Sequence, residues 1–479
     1  MATLRLCVKC FTKVLMRKEF FILALLSLST QAKSSDDNSS TVVVYPPIPG
    51  LAASDLFTVT ANSRDVWTEK FRTAMDIAAF PDWFLIPSTK VQQEVHQASF
   101  SCSGSVQISI RVPNAVTNVS IHPLSRGIRA EVQDNVVTFS LPGPDNLSVE
   151  IDNLPPLFIF ANPVEYVEVS TNDRGVLYFG PGVHRPGFIT LKDNETVYIA
   201  AGAIVYGSIR ASGVHNISVL GRGILDGEFK FKQMVLIENC QNIRFEGVIV
   251  RNGDGWTNTF INCDGLHYDH VKVLSFGPGG DGIDPLNSRS IVISHCFLRC
   301  TDDCIDIKAP AAAQDVDQVL ITDNTMIGFA FSDGVTIGFE TNAASISNIT
   351  VRNCDVILAH GGSRLDSHSG FSIFCDGPSL ITHVHYEDCR VEKSETKLFE
   401  LHIADGTKYG AGPPGNISDV TLKNISWDHE NPIILKGFDE THRIQSVSFE
   451  NCTVAGKPLR DLQSAVMQIG KFVDDVVVK

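Results

Sequence analysis

The chain has 479 residues, of which 43% are hydrophobic, 19% are charged and 36 are glycine. This is enough apolar material for two or three ordinary domains, or for one long solenoid with an attached domain, so the composition excludes a disordered protein. The formal net charge of -15 argues against nucleic acid or an anionic membrane as a partner, because both need basic stripes that we do not find in the sequence.

The start of the chain resembles an export signal. From Met16 it reads MRKEFFILALLSLSTQAKSS: a basic start, an apolar run too short to span a bilayer, and small or polar residues around Ala32. We therefore predict a signal peptide over residues 1–32, with Met16 as an alternative start and a signal anchor as the competing interpretation. N-x-[S/T] sequons also suit a secreted, extracellular glycoprotein; they occur at Asn38, Asn118, Asn146, Asn194, Asn216, Asn348, Asn416, Asn424 and Asn451.

A short linker over residues 33–42 precedes a region of alternating apolar and polar residues. Runs such as SVQISIRV, NVVTFSL and LSVEIDNL are separated by turn clusters such as LPGPDN. Strict alternation over short runs is typical of half-buried strands. Residues 43–173 are therefore predicted to form a small antiparallel β-domain.

A repeat begins at about residue 174, in which a polar residue is followed by apolar-x-apolar. Short β-runs at such intervals predict a solenoid, and the Leu-x-x-Leu-x-Leu signature of the competing leucine-rich repeat is missing. We predict an all-β protein with a parallel β-helix of about eleven coils over residues 174–455 and a tail over 456–479. The first apolar positions are Val176, Val197, Ile217, Ile243, Leu266, Ile291, Val319, Ile349, Val384, Val420 and Val447.

The cysteines follow the same repeat. Cys296, Cys354, Cys389 and Cys452 each lie five residues after the first apolar position of their own coil. Inward-facing cysteines are ordinary core residues, but in an oxidising compartment neighbouring coils could be bridged. We expect at least one disulfide, either Cys354–Cys389 or Cys300–Cys304.

Five carboxylates lie between Gly279 and Lys308, namely Asp281, Asp284, Asp302, Asp303 and Asp306. Because unpaired acids repel one another, the cluster indicates a metal site, a catalytic acid/base set or a solvated turn. Aligning GGDGIDPL, TDDCIDIK and FSDGVTIG on consecutive coils places Asp281, Asp303 and Asp333 in one column. Since strands in a sheet lie about 4.8 Å apart, the column predicts a single site.

Such a site suits cleavage of a glycosidic bond. That reaction needs a carboxylic acid to protonate the leaving oxygen and a carboxylate to activate water, and crowding separates the pKa values of the two groups. Asp302 and Asp303 are adjacent, so both reach the site only if they lie at a turn or bulge.

The spacing of GGDGIDPL and TDDCIDIK, followed by SDGVTIG, resembles the active-site motifs of the polygalacturonases, glycoside hydrolase family 28, and of the related dextranase and isopullulanase family 49. The resemblance covers about residues 174–455. It implies a right-handed parallel β-helix that hydrolyses polysaccharides with inversion. It also implies that Asp302 is the general acid, that Asp281 and Asp303 hold and deprotonate the water, and that no metal or other cofactor takes part.

The chain also departs from the polygalacturonase pattern. Ser332-Asp333-Gly334 stands where that family has Gly-His-Gly, and its uronate-binding Arg-x-Lys has no match, since the nearest segment, Asp366-Ser367-His368-Ser369-Gly370-Phe371, lacks both basic residues. A site with an extra carboxylate and no cationic clamp should repel galacturonan, so we expect a neutral, dextran-like glycan. Candidate substrate-binding residues are Asp333, His368 and Lys308, with weaker candidates His360, His402, Trp256, Tyr268 and Phe339.

Other functions stay open. They are a polygalacturonase, a polysaccharide lyase or epimerase that would hold Ca²⁺ and use Lys308 or Arg364 as base, and a non-catalytic glycan-binding protein. In each case the expected partner is a polysaccharide or oligosaccharide, and we expect the protein to be a monomer.

Overall fold

The computed structural model describes residues 40–72, 94–165, 169, 173–277, 279–329, 331–360 and 369–479. The predicted signal peptide and most of the linker lie outside these ranges and stay predictions. Residues from Ser40 to Lys479 form one compact unit. Within the described ranges, the structure contains no helix of the length and hydropathy needed to cross a membrane.

Two sheets precede the solenoid. Their strands, in chain order, are Thr41–Val44 (β1), Ala52–Ala53 (β2), Thr58–Ala61 (β3), Arg64–Val66 (β4), Thr68–Arg72 (β5), Glu94–Ser103 (β6), Val106–Arg111 (β7), Val119–His122 (β8), Glu131–Gln133 (β9), Val136–Leu141 (β10), Asp145–Ile151 (β11) and Leu157–Pro163 (β12). A 3-10 turn, Leu124–Arg126, follows β8.

The first sheet has the order β2-β5-β6-β12-β11-β8 with β1 on β6, and the second has the order β4-β3-β7-β10-β9. Strands pair antiparallel, as predicted, except that β6 and β12 run parallel. Strand β7 alternates buried and less buried residues, because the inward residues of both sheets share one core. Phe100, Ile108, Leu147 and Ile159 belong to that core.

The rest of the described chain is a parallel β-helix, right-handed as predicted. Its strands are Val176–Phe179 (β13), Gly182–Thr190 (β14), Thr196–Ile199 (β15), Ala203–Ser212 (β16), His215–Gly221 (β17), Ile224–Asp226 (β18), Val235–Glu238 (β19), Gln241–Glu246 (β20), Ile249–Arg251 (β21), Asn258–Ile261 (β22), Asp264–Asp269 (β23), Lys272–Leu274 (β24), Ile283–Leu286 (β25), Arg289–Ser294 (β26), Phe297–Cys300 (β27), Ile305–Ala309 (β28), Val316–Thr322 (β29), Thr325–Gly328 (β30), Val335–Thr341 (β31), Ser345–Arg352 (β32), Asp355–Ala359 (β33), Ser369–Cys375 (β34), Leu380–Glu387 (β35), Arg390–Val391 (β36), Lys397–Ile403 (β37), Asn416–Lys423 (β38), Ser426–Trp427 (β39), Ile433–Lys436 (β40), Ile444–Glu450 (β41), Thr453–Val454 (β42), Lys457–Pro458 (β43), Met467–Ile469 (β44) and Val473–Val478 (β45).

The repeat predicted the register of the coils. From Ile217 to Val447 each predicted first apolar position pairs with the next, beginning with Ile217 on Ile243. The first two predicted positions are exceptions, because Val176 pairs with Thr196 and Val197 pairs with Val219. The predicted positions from Ile217 to Val447 are buried in one continuous core, so inward packing of apolar residues fixes the register.

The solenoid also extends beyond the predicted boundary at residue 455. Val447 pairs with Val476 on β45, and β44 pairs with β40. The sheet that contains the repeat therefore has 12 strands in the described part of the chain. Residues 456–479 therefore form most of a further coil and are not a free tail. The apolar side chains of FVDDVVV pack against the end of the core and cover its last rung.

The expected disulfide is not formed. All ten described cysteines are buried free thiols. Cys354 and Cys389 are neighbours, and each Sγ donates to a carbonyl of its own turn, at 3.3 Å to the oxygen of Arg352 and 3.3 Å to that of Glu387. The sulfurs therefore behave as core groups with local hydrogen bonds, the ordinary role of a buried cysteine.

Candidate active site

The carboxylate column forms where three consecutive coils enter the same sheet. Ile283 on β25 pairs with Ile305 on β28, and Ile305 pairs with Val335 on β31. Asp281, Asp303 and Asp333 each precede these residues by two positions, and their backbones are bonded in series. The amide of Gly282 donates to the main-chain carbonyl of Asp303 at 2.8 Å, and the amide of Cys304 donates to the main-chain carbonyl of Asp333 at 3.0 Å. The predicted column is therefore present in the structure.

Asp302 and Asp303 lie between the end of β27 at Cys300 and the start of β28 at Ile305. The pair is outside regular strand, as the predicted turn requires, so the two side chains need not face opposite sides. Asp302 is half-buried and accepts the amide of Asp303 at 3.1 Å. Asp303 is 6% exposed and accepts the amide of Asp333 at 2.7 Å. Asp302 is thus the carboxylate of the pair that solvent reaches more readily.

A second row of acids adjoins the column. Asp284 pairs with Thr259, and Asp306 pairs with Thr336 on the next coil. Carboxylate oxygens of Asp281, Asp284 and Asp306 lie within 4.8 Å of one another, and all three residues are buried. Sequence reasoning noticed Asp284 and Asp306 in the cluster but gave them no role.

Lys308 lies among these acids. Its Nζ contacts Asp306, lies 3.8 Å from Asp281 Oδ2 and 3.3 Å from Glu340 Oε2, and stands 5.0 Å from the ring centre of Trp256. Although burial by itself lowers the pKa of Lys308, the surrounding carboxylates raise it well above its ordinary value. The ammonium group therefore stays charged and compensates the negative charge of the buried acids. The sequence analysis predicted that Lys308 binds sugar and did not reveal this role.

The acids themselves hold protons more tightly than usual. Burial, followed by the charges of Asp284 and Asp302, raises the pKa of Asp281 well above its ordinary value. Burial also raises the pKa of Asp284 to about 7, against the effect of Lys308, and burial raises the pKa of Asp306. The carboxyl groups of Asp281 and Asp284 are hydrogen-bonded to each other. Asp281 and Asp284 are therefore expected to share a proton and to titrate as a pair.

The three acids are also one of the groups of described side chains whose ligand atoms lie close enough together to hold a cation. Carboxylate oxygens suit Ca²⁺ or Mg²⁺, but those ions take six or more ligands. Lys308 already places a positive charge against Asp306 and near Asp281. The donor set is therefore better matched to an internal ammonium group than to a bound metal.

Asp333 is saturated inside the protein. It is 1% exposed and accepts hydrogen bonds from the amide of Ser369, the hydroxyl of Ser372 and, at 3.1 Å, the hydroxyl of Thr336. These donors favour a positioning role over the sugar contact that we predicted. The backbone amide of Asp333 donates a hydrogen bond to the carboxylate of Asp303. Asp303 is therefore the side chain that Asp333 would position.

The other residues predicted to contact substrate lie in different environments. His368 and Arg364 lie outside the described residues. His360 Nε2 is 3.1 Å from Glu395 Oε2, so this ring is engaged in an ion-pair geometry. The expectation that Tyr268 contacts sugar is wrong, because its side chain is fully buried and stacks on Phe245 at 5.3 Å in the solenoid core.

Asp284→Asn should change how stability depends on pH. The folded protein keeps a proton on Asp284 up to about pH 7, whereas the unfolded chain loses it near pH 4. The wild type therefore loses stability as the pH rises from about 4 to about 7, by at most about 4 kcal/mol. The variant should lack most of this loss in the free energy of unfolding, measured by urea denaturation across that pH range.

Asp134→Asn is the matched control, because Asp134 is exposed in a turn at φ 55°, a conformation that Asn accepts. This control should follow the wild-type pH profile. An Asp284→Asn profile parallel to the wild type would contradict the shared-proton interpretation.

Comparison with known proteins agrees with the fold. A parallel β-helix with acids on adjacent coils is the architecture of a class of polysaccharide hydrolases. The family model of the glycosyl hydrolases family 28 matches residues 189–465, more than half of the chain. The chain belongs to this family.

Curated relatives are more distant. A probable exopolygalacturonase B of Aspergillus flavus is 24% identical over 225 residues, which are 43% of this chain and 49% of that protein. An endo-polygalacturonase of Pectobacterium carotovorum subsp. carotovorum is 24% identical over 256 residues, 48% of this chain and 60% of that protein. The chain thus spans about half the length of the curated relatives it matches.

Solved structures share the architecture. Dex49A from Penicillium minioluteum superposes with a TM-score of 0.64 at 15% identity, covering 94% of this chain and 100% of that one. A hyperthermoactive exopolygalacturonase from Thermotoga maritima gives 0.51 at 16% identity, covering 64% of this chain and 84% of that one. At these identities the similarity shows the fold alone.

Proposed function

We propose that the protein is a secreted glycoside hydrolase that cleaves a neutral glycan, of the dextran type, with inversion. One observation carries the proposal. Asp302 is half-buried at the turn before β28, next to the buried acids Asp303 and Asp281. This arrangement supplies a proton donor that substrate can reach and carboxylates that can hold water.

In the proposed mechanism, Asp302 protonates the glycosidic oxygen as the bond to the anomeric carbon breaks. Asp303 and the ionised oxygen of the Asp281–Asp284 pair accept hydrogen bonds from a water on the opposite face, and one of these carboxylates takes its proton. Because the two carboxyl groups titrate as a pair, one of them can be ionised while the other keeps the proton, and the ionised group serves as an acceptor for the water. Attack opposite to the leaving group inverts the anomeric centre.

The charge distribution favours a neutral substrate. Lys308, the cation nearest to the acids by the contacts described, is 6% exposed and engaged with Asp306, Asp281 and Glu340. A uronate bound there would meet several carboxylates, and the nearby cation among the described residues, Lys308, is already engaged. Coulombic repulsion at short range in a partly desolvated site would then weaken its binding.

A polygalacturonase is the second candidate, and the names of the curated relatives favour it. Two further functions stay open, namely a polysaccharide lyase or epimerase that uses Ca²⁺ and a glycan-binding protein without catalysis. Extracellular localisation rests on the N-terminal pattern and the sequons, and a monomeric state is proposed with it.

A substrate screen tests this assignment. The purified wild type should release reducing ends from dextran or pullulan, with an inverted anomer in the fresh product by NMR. It should release almost none from polygalacturonate or animal glycosaminoglycans at moderate salt. Chelator should leave the rate unchanged, and no unsaturated product should absorb in the ultraviolet.

Asp302→Asn, expressed and purified in the same way, is the control for contaminating hydrolases. Saturable hydrolysis of polygalacturonate that this variant lacks would show that the neutral-glycan assignment is wrong. Chelator sensitivity together with an unsaturated product would favour the lyase instead.

A further inference from the structure

The sheet that carries the acids continues into an aromatic shelf on the following coils, made of Phe339, Phe374, His402 and Tyr409. The Phe339 and Phe374 rings stack with their centres 4.1 Å apart, Phe374 lies 4.6 Å from His402, and Phe339 lies 5.8 Å from Tyr409. Phe374 and His402 are direct partners on β34 and β37. Four rings from three coils and a loop therefore form one contiguous cluster, in which Phe374 is mostly buried, Phe339 and His402 are half-buried and Tyr409 is exposed.

The aromatic shelf adjoins the carboxylate site. Phe339 precedes Glu340, whose carboxylate lies 3.3 Å from Lys308 Nζ, and Lys308 contacts Asp306. Strand β34, which carries Phe374, is two pairings from β28, which carries Asp306. Two rungs amount to about 10 Å, so a glycan cleaved at the acids could reach the aromatic shelf with a neighbouring sugar residue.

The shelf is also held in place before any ligand arrives. Tyr409 belongs to the loop between β37 and β38, and this loop is bound to buried side chains. Thr407 donates to Asp376 at 2.7 Å, Asn342 donates to the carbonyl of Tyr409 at 3.3 Å, and the amide of Ala411 donates to Asn342 at 2.6 Å. Tyr409 nevertheless remains 43% exposed, so its ring is available to a ligand.

The charges around the shelf are mostly compensated. Lys397 is buried and bonded to Glu400 at 2.6 Å, and His402 Nδ1 lies 3.2 Å from the same carboxylate. Two exposed lysines are close, namely Lys408, 4.6 Å from the Tyr409 ring centre, and Lys436, the strand partner of His402. A uronic acid is therefore the ligand that an experiment must distinguish from a neutral sugar.

We propose that the aromatic shelf is a subsite for a neutral hexopyranose residue, on the C-terminal side of the acids. This inference rests on the proposed function for the identity of the substrate. The C–H face of a pyranose ring is apolar and matches an exposed aromatic ring, whereas its hydroxyls can bond at the rim. Stacking is tolerant of sugar identity, so the subsite would hold the chain in register and leave the choice of bond to the acids.

Binding is measured by calorimetry in the Asp302→Asn protein, so that no turnover interferes, with isomaltohexaose, maltohexaose and hexagalacturonate as probes. Adding Tyr409→Ala should weaken binding of at least one neutral hexaose about 2- to 12-fold, the range for losing one aromatic contact. Tyr409→Phe keeps the ring and should bind within about twofold of the parent. Phe188→Ala removes an aromatic that is 64% exposed on β14 of the first coil and should have no effect. Equal melting temperatures exclude misfolding.

The proposal is overturned if neither neutral hexaose binds, or if Tyr409→Ala binds them as well as the parent. Hexagalacturonate binding that is tighter and depends on Tyr409 overturns the neutral class. Failure of the proposed catalysis looks different. In that case the wild type releases no reducing ends, yet the neutral hexaoses still bind in a Tyr409-dependent way and the subsite stands.

Discussion

Asp302→Asn is expected to lower turnover on a normal glycan by a factor on the order of 10² to 10⁴, the usual contribution of a general acid. The amide is almost isosteric with the carboxyl group but cannot donate the proton that the leaving oxygen needs. Asp302 is half-buried in a turn and accepts one described backbone hydrogen bond, at 3.1 Å from Asp303. The fold should therefore tolerate the change, and the loss should appear in kcat.

A substrate whose leaving group needs no proton separates the roles of the acids. An aryl glycoside with a low leaving-group pKa should recover much of the loss in Asp302→Asn. Asp281→Asn and Asp303→Asn should show no such recovery, because they act on the water. Equal recovery in all three variants, or a product with retained configuration, would contradict the assignment of Asp302 as proton donor.

Arg251→Met is expected to lower the free energy of unfolding by about 3–5 kcal/mol, the cost of breaking a buried ion pair. Arg251 is 2% exposed and joins the first β-domain to the solenoid. It donates to Glu69 at 2.9 and 3.0 Å and to Asp226 at 2.7 Å. Removing the guanidinium leaves two carboxylates buried without their counter-charge. Chemical denaturation of the wild type and the variant at neutral pH measures the difference in the free energy of unfolding.

Arg289→Met is the matched control. Arg289 pairs with Asp264 at 2.9 Å, but the side chains are 52% and 33% exposed, so the change should cost no more than about 1 kcal/mol. Neutralising the stranded acids in the triple variant Arg251→Met, Glu69→Gln and Asp226→Asn should restore part of the stability. A loss in Arg251→Met as small as in the control would show that the network contributes little.

The sequence determined the solenoid and the position of its acids. A repeat of inward apolar side chains sets the register from Ile217 to Val447, because a shift of one residue would turn the core side chains outward. Once the register is known, the column of Asp281, Asp303 and Asp333 follows by counting along GGDGIDPL, TDDCIDIK and FSDGVTIG. The turn before β28 was also predictable, since two adjacent acids can serve one site only outside regular strand.

The C-terminal boundary of the solenoid and the absence of a disulfide among the described cysteines could not be predicted from the sequence. FVDDVVVK is too short to display a repeat, and only pairing of Val476 with Val447 shows that it completes a rung. Spacing placed Cys354 and Cys389 on adjacent coils, but the direction of each Sγ depends on its rotamer. Each Sγ donates to a carbonyl of its own turn, and the two thiols also contact each other without forming a disulfide bond.

Only the tertiary structure decided what the charged and aromatic side chains do. Lys308 is committed to Asp306, Asp281 and Glu340, and Asp333 is saturated by donors that include Ser369 and Ser372 from the next coil. Tyr409 reaches Phe339 from a loop whose path is fixed by Asp376 and Asn342. The repeat does not encode these contacts, because coil lengths vary and loop conformation and side-chain rotamers place the atoms. Apolar periodicity therefore specifies the scaffold, whereas packing between coils specifies which polar groups remain available for chemistry.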